Sequence, residues 1–366
     1  MALYLGLISG TSMDAIDAAL VDFDVAPLRI IGTSATPFEP RLKDRISALI
    51  EHADRVALDE IGQIDVELGR AFAQAALALM QSSGISADRI TAIGSHGQTL
   101  RHRSDLGVPF TWQMGDPNTL AEMTGVSVVA DFRRRDVAAG GQGAPLLPVF
   151  HDQVFRSDDE DRVIANLGGI ANITILTNDS SVTGFDTGPA NRLLDAWIAR
   201  HLGKDFDAGG AWAATGRVDD TLLNELLNEP YLRLAPPKST GRELFNLPWL
   251  ENKLGLFSRT PCDVQATLQQ YTACTVAAAV RQYAPGAALY VCGGGAHNLG
   301  LLHAIAALIA PNRVASTAVL GLDPDYVEAV AFAWFAKRTL EGLTSSAGSV
   351  TGAKGARILG GVYRYA

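Results

Sequence analysis

The run Gly-Phe-Asp-Thr-Gly-Pro-Ala-Asn-Arg at 184–192 places one carboxylate, Asp186, among small polar residues ahead of a helical pattern. Two jobs suit an aspartate there. It can act as a general base held on a loop at the open end of a sheet, where α/β proteins gather their ligands, or it can cap the following helix. Other stretches carry chemistry of their own. Ser95-His96-Gly97-Gln98-Thr99 offers His96 and Gln98 as donors and acceptors for sugar hydroxyls, or as an ordinary satisfied loop. Ser9 to Asp14 combines a glycine with hydroxyls and N–H groups able to converge on phosphate, which a plain turn also does. Of the adjacent Arg133, Arg134 and Arg135, one can face an anion such as a carboxylate, or all three can form a solvated edge. Lys238 is open between a surface charge and a phosphate contact, and Glu328 between solvent and a cleft.

The elements that must position these residues are short strands and longer helices. Leu3 to Ile8 and Ala15 to Phe23 read as strand, turn, strand, and Val163 to Thr177 repeats that plan around Gly168 and Gly169. Two such hairpins suggest an internal duplication, with two loops facing each other across a cleft. Leu58 to Met80 has helical spacing, as do Asn191 to Leu202, with Leu193, Leu194, Trp197 and Ile198 on one face, and Asp263 to Tyr283, begun by Asp263. Arg89 to Gly94, Val126 to Ala130 and Leu289 to Cys292 read as buried strands. The first of these runs into Ser95, and Trp112 to Asp116 reads as loop. The arginine tract is expected to end a strand and enter a glycine-rich loop at 138–145, a natural domain boundary. A helix from Pro324 to Thr339 carries Glu328, and a short last strand is expected within 358–363.

Length and charge narrow the class. A chain of 366 residues with 48% hydrophobic and 19% charged content can bury two cores, and its net charge of −9 argues against nucleic-acid or membrane-surface binding through overall electrostatics. Three scattered cysteines make neither a disulfide framework nor a zinc site and fit a reducing compartment. The acidic residues Asp14 and Asp17 break the amino-terminal apolar run where a signal peptide needs its core, so a cytoplasmic location is expected.

Taken together and in order, the motifs at 10–14, 95–99, 140–145, 166–172, 184–191, 293–298 and 323–325, with Glu328-Ala329, resemble those of the anhydro-N-acetylmuramic acid kinase family, within the sugar kinase, heat-shock protein and actin superfamily. The resemblance implies an α/β fold of two duplicated actin-like (ribonuclease H-like) ATPase domains around a nucleotide cleft. The first is expected at 1–140, with the tail 345–366 packed on it, and the second at 141–344. It implies ATP with Mg2+, held by Gly10, Thr11, Ser12, Met13, Asp14, Ala15, Ile16 and Asp17 and, opposite, by Asn166, Gly168 and Gly169, while Gly293, Gly294 and Gly295 border the adenosine. Asp186 becomes the base and Glu328 its helper, and His96, Gln98 and Arg133 contact the sugar or its lactyl carboxylate. No metal ligand is assigned in the protein. The substrate implied is 1,6-anhydro-N-acetylmuramic acid, used by a homodimer in peptidoglycan recycling. Levoglucosan kinase activity, or an ATP-gated binding module on the same fold, are the competing expectations.

Overall fold

The structure, a computed structural model, describes residues 2–10, 13–51, 56–104, 106–178, 181–255 and 259–365. It divides into two compact units, residues 1–146 with 326–366, and residues 147–325.

In the first unit, β1 (Leu3–Ser9), β2 (Ala15–Asp22) and β3 (Arg29–Pro37) form an antiparallel meander. On the other side of β1 lie, in parallel, β4 (Ile90–Arg103) and then β6 (Val128–Ala130), while β5 (Phe110–Met114) makes a hairpin with β4. In the second unit, β7 (Arg162–Leu167), β8 (Ile170–Leu176) and β9 (Thr183–Pro189) form the same meander, extended in parallel by β10 (Ala288–Cys292) and β11 (Val314–Ser316). The matching strand orders are those of the duplicated actin-like plan. The last strand, β12 (Gly361–Tyr363), pairs with β6 at the edge of the first sheet.

The apolar patterns place the cores. Strands β7 and β10 are buried along nearly their whole length, as unbroken aliphatic runs in the middle of a sheet require. The helix Leu58–Ser83 buries Ile64, Leu68, Phe72, Ala76 and Leu79, and stops at Gly84, whose φ of 65° turns the chain. Each such large side chain removed from water contributes about 1.5–3 kcal/mol.

Several local expectations are corrected. Asp186 lies inside β9 rather than in a turn after a strand, since Gly184 to Pro189 ladder onto β8. The stretch expected as loop at Trp112 is β5. The arginine tract is the helix Phe132–Ala138, entered through Asp131 at a φ of 62°. The long helix Pro261–Tyr283 is capped by Thr260, while the Asp263 carboxylate accepts the Arg217 N–H at 2.7 Å. The far end of the second domain moves as well. The chain rejoins the first unit at Tyr326, because the helix Val327–Leu340 lies with its backbone on β1 and β4: a Cβ at Gly6 would stand 1.8 Å from the Ala329 carbonyl oxygen, and one at Gly94 would stand 2.0 Å from that of Phe332. The tail is tied to this unit too. Thr351 Oγ1 donates to the buried Asp136 Oδ1 at 2.8 Å, and the Lys354 N–H donates to the Ala139 carbonyl at 2.9 Å.

Candidate active site

Asp186 is buried, with 6% of its surface exposed. It does not cap the helix Asn191–Leu202, whose N-cap position is Ala190 with no side-chain bond. Its partners come from a segment far along the chain. The Thr240 N–H donates to Asp186 Oδ2 at 2.9 Å, the Asp186 N–H donates to the Lys238 carbonyl at 3.2 Å, and the Tyr231 hydroxyl donates to the Asp186 carbonyl oxygen at 2.8 Å. Lys238 is itself buried, so it is not the surface charge that its neighbours Pro236 and Ser239 suggest. Across the sheet, Asp186 is in register with Asn172, Asn172 with Asn166, and Asn166 with Cys292. The Oδ1 atoms of Asn166 and Asn172 are buried with no hydrogen-bond partner among the described residues. Such a cost is kept where a ligand supplies the missing bond.

Next to this row lies the second candidate phosphate loop. The carbonyls of Gly168 and Gly169 accept the N–H groups of Ala190, Asn191 and Arg192, and the Asn191 side chain donates to the Leu167 carbonyl at 2.9 Å. The strand β10 delivers the glycine run against the same turn. At Gly293 a Cβ would stand 2.4 Å from Asn166 Oδ1, and at Gly295 2.5 Å from the Leu167 Cβ, so neither position admits a side chain. Gly168 and Gly294 are less crowded, an added Cβ meeting only ordinary contacts, the nearest at 3.9 Å and 3.7 Å. Bare backbone of this kind lets a phosphate or a flat ring approach closely. Beyond it, Ala296, His297, Ser316, Ala318, Gly321 and Asp323 to Asp325 line a concavity of about 510 Å3, where His297 Nε2 and Asp325 Oδ1 are 2.8 Å apart.

In the first unit, Thr11 and Ser12 lie outside the described residues. Gly10 accepts the Met13 N–H at 3.2 Å, and Met13 holds a φ of 55°. Asp14 is exposed and pairs with Lys43 at 3.3 Å. Met13 and Ile16 turn their side chains into the core, so of these two only the backbone is available to a ligand. Ala15 and Asp17 are half-buried on β2.

The expected sugar contacts separate into two kinds. Arg133 Nε donates to His96 Nε2 at 2.9 Å, and His96 Nδ1 stands 2.9 Å from the Gly97 carbonyl. Because a carbonyl only accepts and a guanidinium only donates, the proton is on Nδ1 and the lone pair of Nε2 faces Arg133. Burial, and then the charge of Arg133, holds the His96 pKa well below its ordinary value and keeps the ring neutral. Both ring nitrogens are engaged within the protein, Nε2 with Arg133 and Nδ1 with the Gly97 carbonyl, so His96 holds Arg133. Arg133 also donates to the Gly143 carbonyl at 2.8 Å and is half-buried, whereas Arg134 and Arg135 are exposed. Gln98 is 1% exposed with Oε1 unpartnered among the described residues, and it is in register with Ser9 on β1. The hydroxyls of Ser9, at the end of β1, and Ser95, within β4, both in stretches marked out by the sequence, are likewise buried and unpartnered among the described residues. Glu328 is half-buried in the first turn of the helix Val327–Leu340.

Among the described residues no cluster of three or more His, Cys, Asp or Glu is placed to hold a metal, and no helix is long and apolar enough to cross a membrane.

Comparison with known proteins gives a single direction. The family profile described as anhydro-N-acetylmuramic acid kinase matches residues 2–365. The protein of that name from Xanthomonas campestris pv. campestris (strain 8004) is 51% identical over 365 residues, covering 99% of this chain and 97% of its own length. The one from Coxiella burnetii (strain Dugway 5J108-111) is 52% identical over 363 residues, covering 98% and 97%. Among solved structures, the activator of the 2-hydroxyisocaproyl-CoA dehydratase from Clostridium difficile with bound ADPNP aligns at a TM-score of 0.48 and 12% identity over 94% of this chain and 99% of that one, too loose a likeness to bear on function.

Proposed function

The chain belongs to the anhydro-N-acetylmuramic acid kinase family, and from that premise we propose that it opens the 1,6-anhydro ring of 1,6-anhydro-N-acetylmuramic acid and phosphorylates oxygen 6 at the expense of ATP, giving N-acetylmuramic acid 6-phosphate and ADP in peptidoglycan recycling. The observation that carries the role of Asp186 is that this buried carboxylate caps no helix and is fixed in orientation by the Thr240 N–H.

The substrate dictates why one carboxylate matters. Oxygen 6 of a 1,6-anhydro sugar is bonded to the anomeric carbon and has no proton to lose. Asp186 takes a proton from water as that water adds to the anomeric carbon. The bond from the anomeric carbon to oxygen 6 breaks, and oxygen 6 leaves as the nucleophile toward the γ-phosphorus of ATP. One water and one ATP are consumed for each sugar phosphate formed. General-base help is worth about a hundred- to ten-thousand-fold; alignment of the in-line transfer and electrostatic stabilisation of the phosphates supply more.

The remaining assignments follow the same reading. In the second unit Gly168, Gly169 and Gly293 to Gly295 receive ATP, a reading supported by the room for close approach at Gly168 and Gly294; in the first unit the backbone from Gly10 to Asp17 is assigned to phosphate. Mg2+ enters with the nucleotide and neutralises phosphate charge. Arg133, oriented by His96, faces the lactyl carboxylate, Gln98 contacts the sugar, and Glu328 helps to orient the water or the sugar. The active form is a homodimer, which sedimentation of the full chain tests.

Turnover of ATP and the anhydro-sugar in oxygen-18 water tests the reaction. The expected product is heavier by one labelled oxygen carried on the sugar, with none in the phosphoryl group, and an Asp186→Asn variant is inactive. Label in inorganic phosphate, or a fully active variant, would refute the coupled reaction.

A further inference from the structure

Lys238 is buried, with only 7% of its surface exposed, and its ammonium has no water shell to balance its charge. Instead Nζ donates to the carbonyls of Tyr231 and Leu232 at 3.3 and 3.2 Å, and it stands 4.8 Å from the centre of the Tyr231 ring and 5.7 Å from that of Phe185. Carbonyls and ring faces stabilise a cation, but a buried lysine normally also needs an anion. Phe185 precedes Asp186 on β9, Tyr231 bonds to the Asp186 carbonyl, and the Lys238 carbonyl receives the Asp186 N–H. The same short segment that fixes the aspartate backbone therefore also buries a positive charge close to β9, held by carbonyls and by the ring faces of Tyr231 and Phe185.

We propose that Lys238 is a positioning residue for Asp186, its ammonium holding the aspartate as a carboxylate ready to accept a proton, with the Tyr231 hydroxyl and the Thr240 N–H fixing where that carboxylate points. This rests on the reading of Asp186 as the general base. The interaction is visible from the other side: burial lowers the Lys238 pKa, and the charge of Asp186 raises it in part compensation. The other titratable groups facing the pair are Tyr231, whose hydroxyl is pushed far up by burial and by the charges of Asp186 and Glu243, and Glu243, whose carboxylate lies 2.5 Å from where a Cβ of Gly241 would stand. Neither of these two supplies a positive charge; the same segment also carries Arg242, two residues after Thr240. The neighbouring strand β8 presents Asn172, and the helix Pro261–Tyr283 presents Thr275 near Gly188, neither of which titrates.

The test compares the pH dependence of kcat/KM for the anhydro-sugar in the wild type, Lys238→Met, Lys238→Arg and Tyr231→Phe. A nearby cation typically lowers a carboxyl pKa by about one to three units. Lys238→Met is therefore expected to move the acidic limb up by at least about one unit, losing more than about tenfold near pH 6 while recovering toward pH 9, with the KM for ATP changed less than about twofold. Lys238→Arg restores the limb. Tyr231→Phe lowers kcat and leaves the limb in place. An acidic limb unmoved in folded Lys238→Met, or an equal loss at every pH, overturns the proposal. A second measurement needs no change at Lys238. In wild-type protein carrying 13Cγ-aspartate, the resonance missing from Asp186→Asn should keep its carboxylate shift down to about pH 5, and protonation above about pH 6 overturns the proposal. If the wild type turns over no anhydro-sugar, the assigned reaction falls instead, and the carbon titration still decides whether Asp186 is held charged.

Discussion

Each sheet carries a row of residues in register across four adjacent strands, one through Asn166 and one through Ser9, and of these two rows only the first carries an acid. In the second unit the row across β10, β7, β8 and β9 reads Cys292, Asn166, Asn172, Asp186. In the first, the row across β4, β1, β2 and β3 reads Gln98, Ser9, Ile16, Thr36. Followed along the register, the row through Asn166 ends on Asp186 in β9 and the row through Ser9 ends on Thr36 in β3. Both rows contain buried oxygens without partners among the described residues, on Asn166, Asn172, Ser9 and Gln98. The duplicated fold thus supplies two equivalent places for a ligand to meet polar side chains, and a single substitution pattern decides which place does proton chemistry. Around Asp186 the chain has added a buried lysine and a backbone N–H donor; no charged group is in the row at Thr36.

The sharpest way to break this comparison is to change both corner residues. Asp186→Asn is expected to reduce kcat/KM by about a hundred- to ten-thousand-fold, whereas Thr36→Val should stay within about twofold of wild type. Comparable losses would mean that the halves have not diverged as described. The next largest effect is expected at Arg133. Replacing it with Met removes a charge-assisted contact worth about 1.5–3 kcal/mol, so the KM for the anhydro-sugar should rise about ten- to a hundred-fold, but change little for an analogue lacking the lactyl group. An equal rise for both compounds would assign Arg133 to something other than that carboxylate. Gln98→Leu sharpens the comparison through stability. Removing a buried oxygen that lacks a partner should raise the unfolding free energy by about 1 kcal/mol while weakening sugar binding severalfold, a trade expected of a functional polar group and not of a structural one. Loss of stability together with unchanged binding would make Gln98 part of the scaffold.

Much of this arrangement was legible in the sequence wherever a pattern was local. The apolar runs located β1, β2, β7, β8 and β10, and the helical spacing located the long helices at 58–83 and 261–283. The repeat of two hairpins pointed to a duplication, and the strand orders have that form. Strand β9 was not readable as a strand, because its Gly, Asp, Thr and Pro residues have turn chemistry and extend only because β8 offers a ladder. Strand β3 has a weak, half-buried pattern that leaves little signal, whereas the helix Pro40–Glu51 was overlooked although Leu42, Ile46, Leu49 and Ile50 have helical spacing and are buried. The last long helix looked like part of the second domain because nothing local reveals that Gly6 and Gly94, hundreds of residues earlier, make room for its backbone. The clamp on Asp186 is the hardest case. Thr240 lies 54 residues away, and the only hint was a lysine placed among prolines in a stretch otherwise read as a turn.

Each unit also buries a neutral histidine, and this gives the smallest and most general prediction. His96 in the first unit is engaged at both nitrogens; His151 in the second accepts or donates at Nδ1 to Thr174 Oγ1 at 2.7 Å, with Nε2 unpartnered among the described residues. Burial lowers the pKa of His151 to about 3 and holds that of His96 well below the ordinary value, Arg133 adding to the effect there. In the unfolded chain both return to about 6.5. Above that pH neither state binds the proton, and the full stability is present. Below it the unfolded chain binds protons that the fold refuses, so stability falls with falling pH, for His151 until about 3. At about pH 5.5 the contribution of His151 should have fallen by about 1.4 kcal/mol relative to pH 7.5 or above, with that of His96 changing in the same direction. Urea unfolding of wild type and His151→Asn across this range measures the difference. The variant should show a shallower pH slope by about one proton, and because Asn can still bond to Thr174, its stability near neutrality should change little compared with that slope. An unchanged slope would mean that His151 is charged in the fold, and the second unit would then differ from the first in the way it treats its buried histidine as well as its carboxylate.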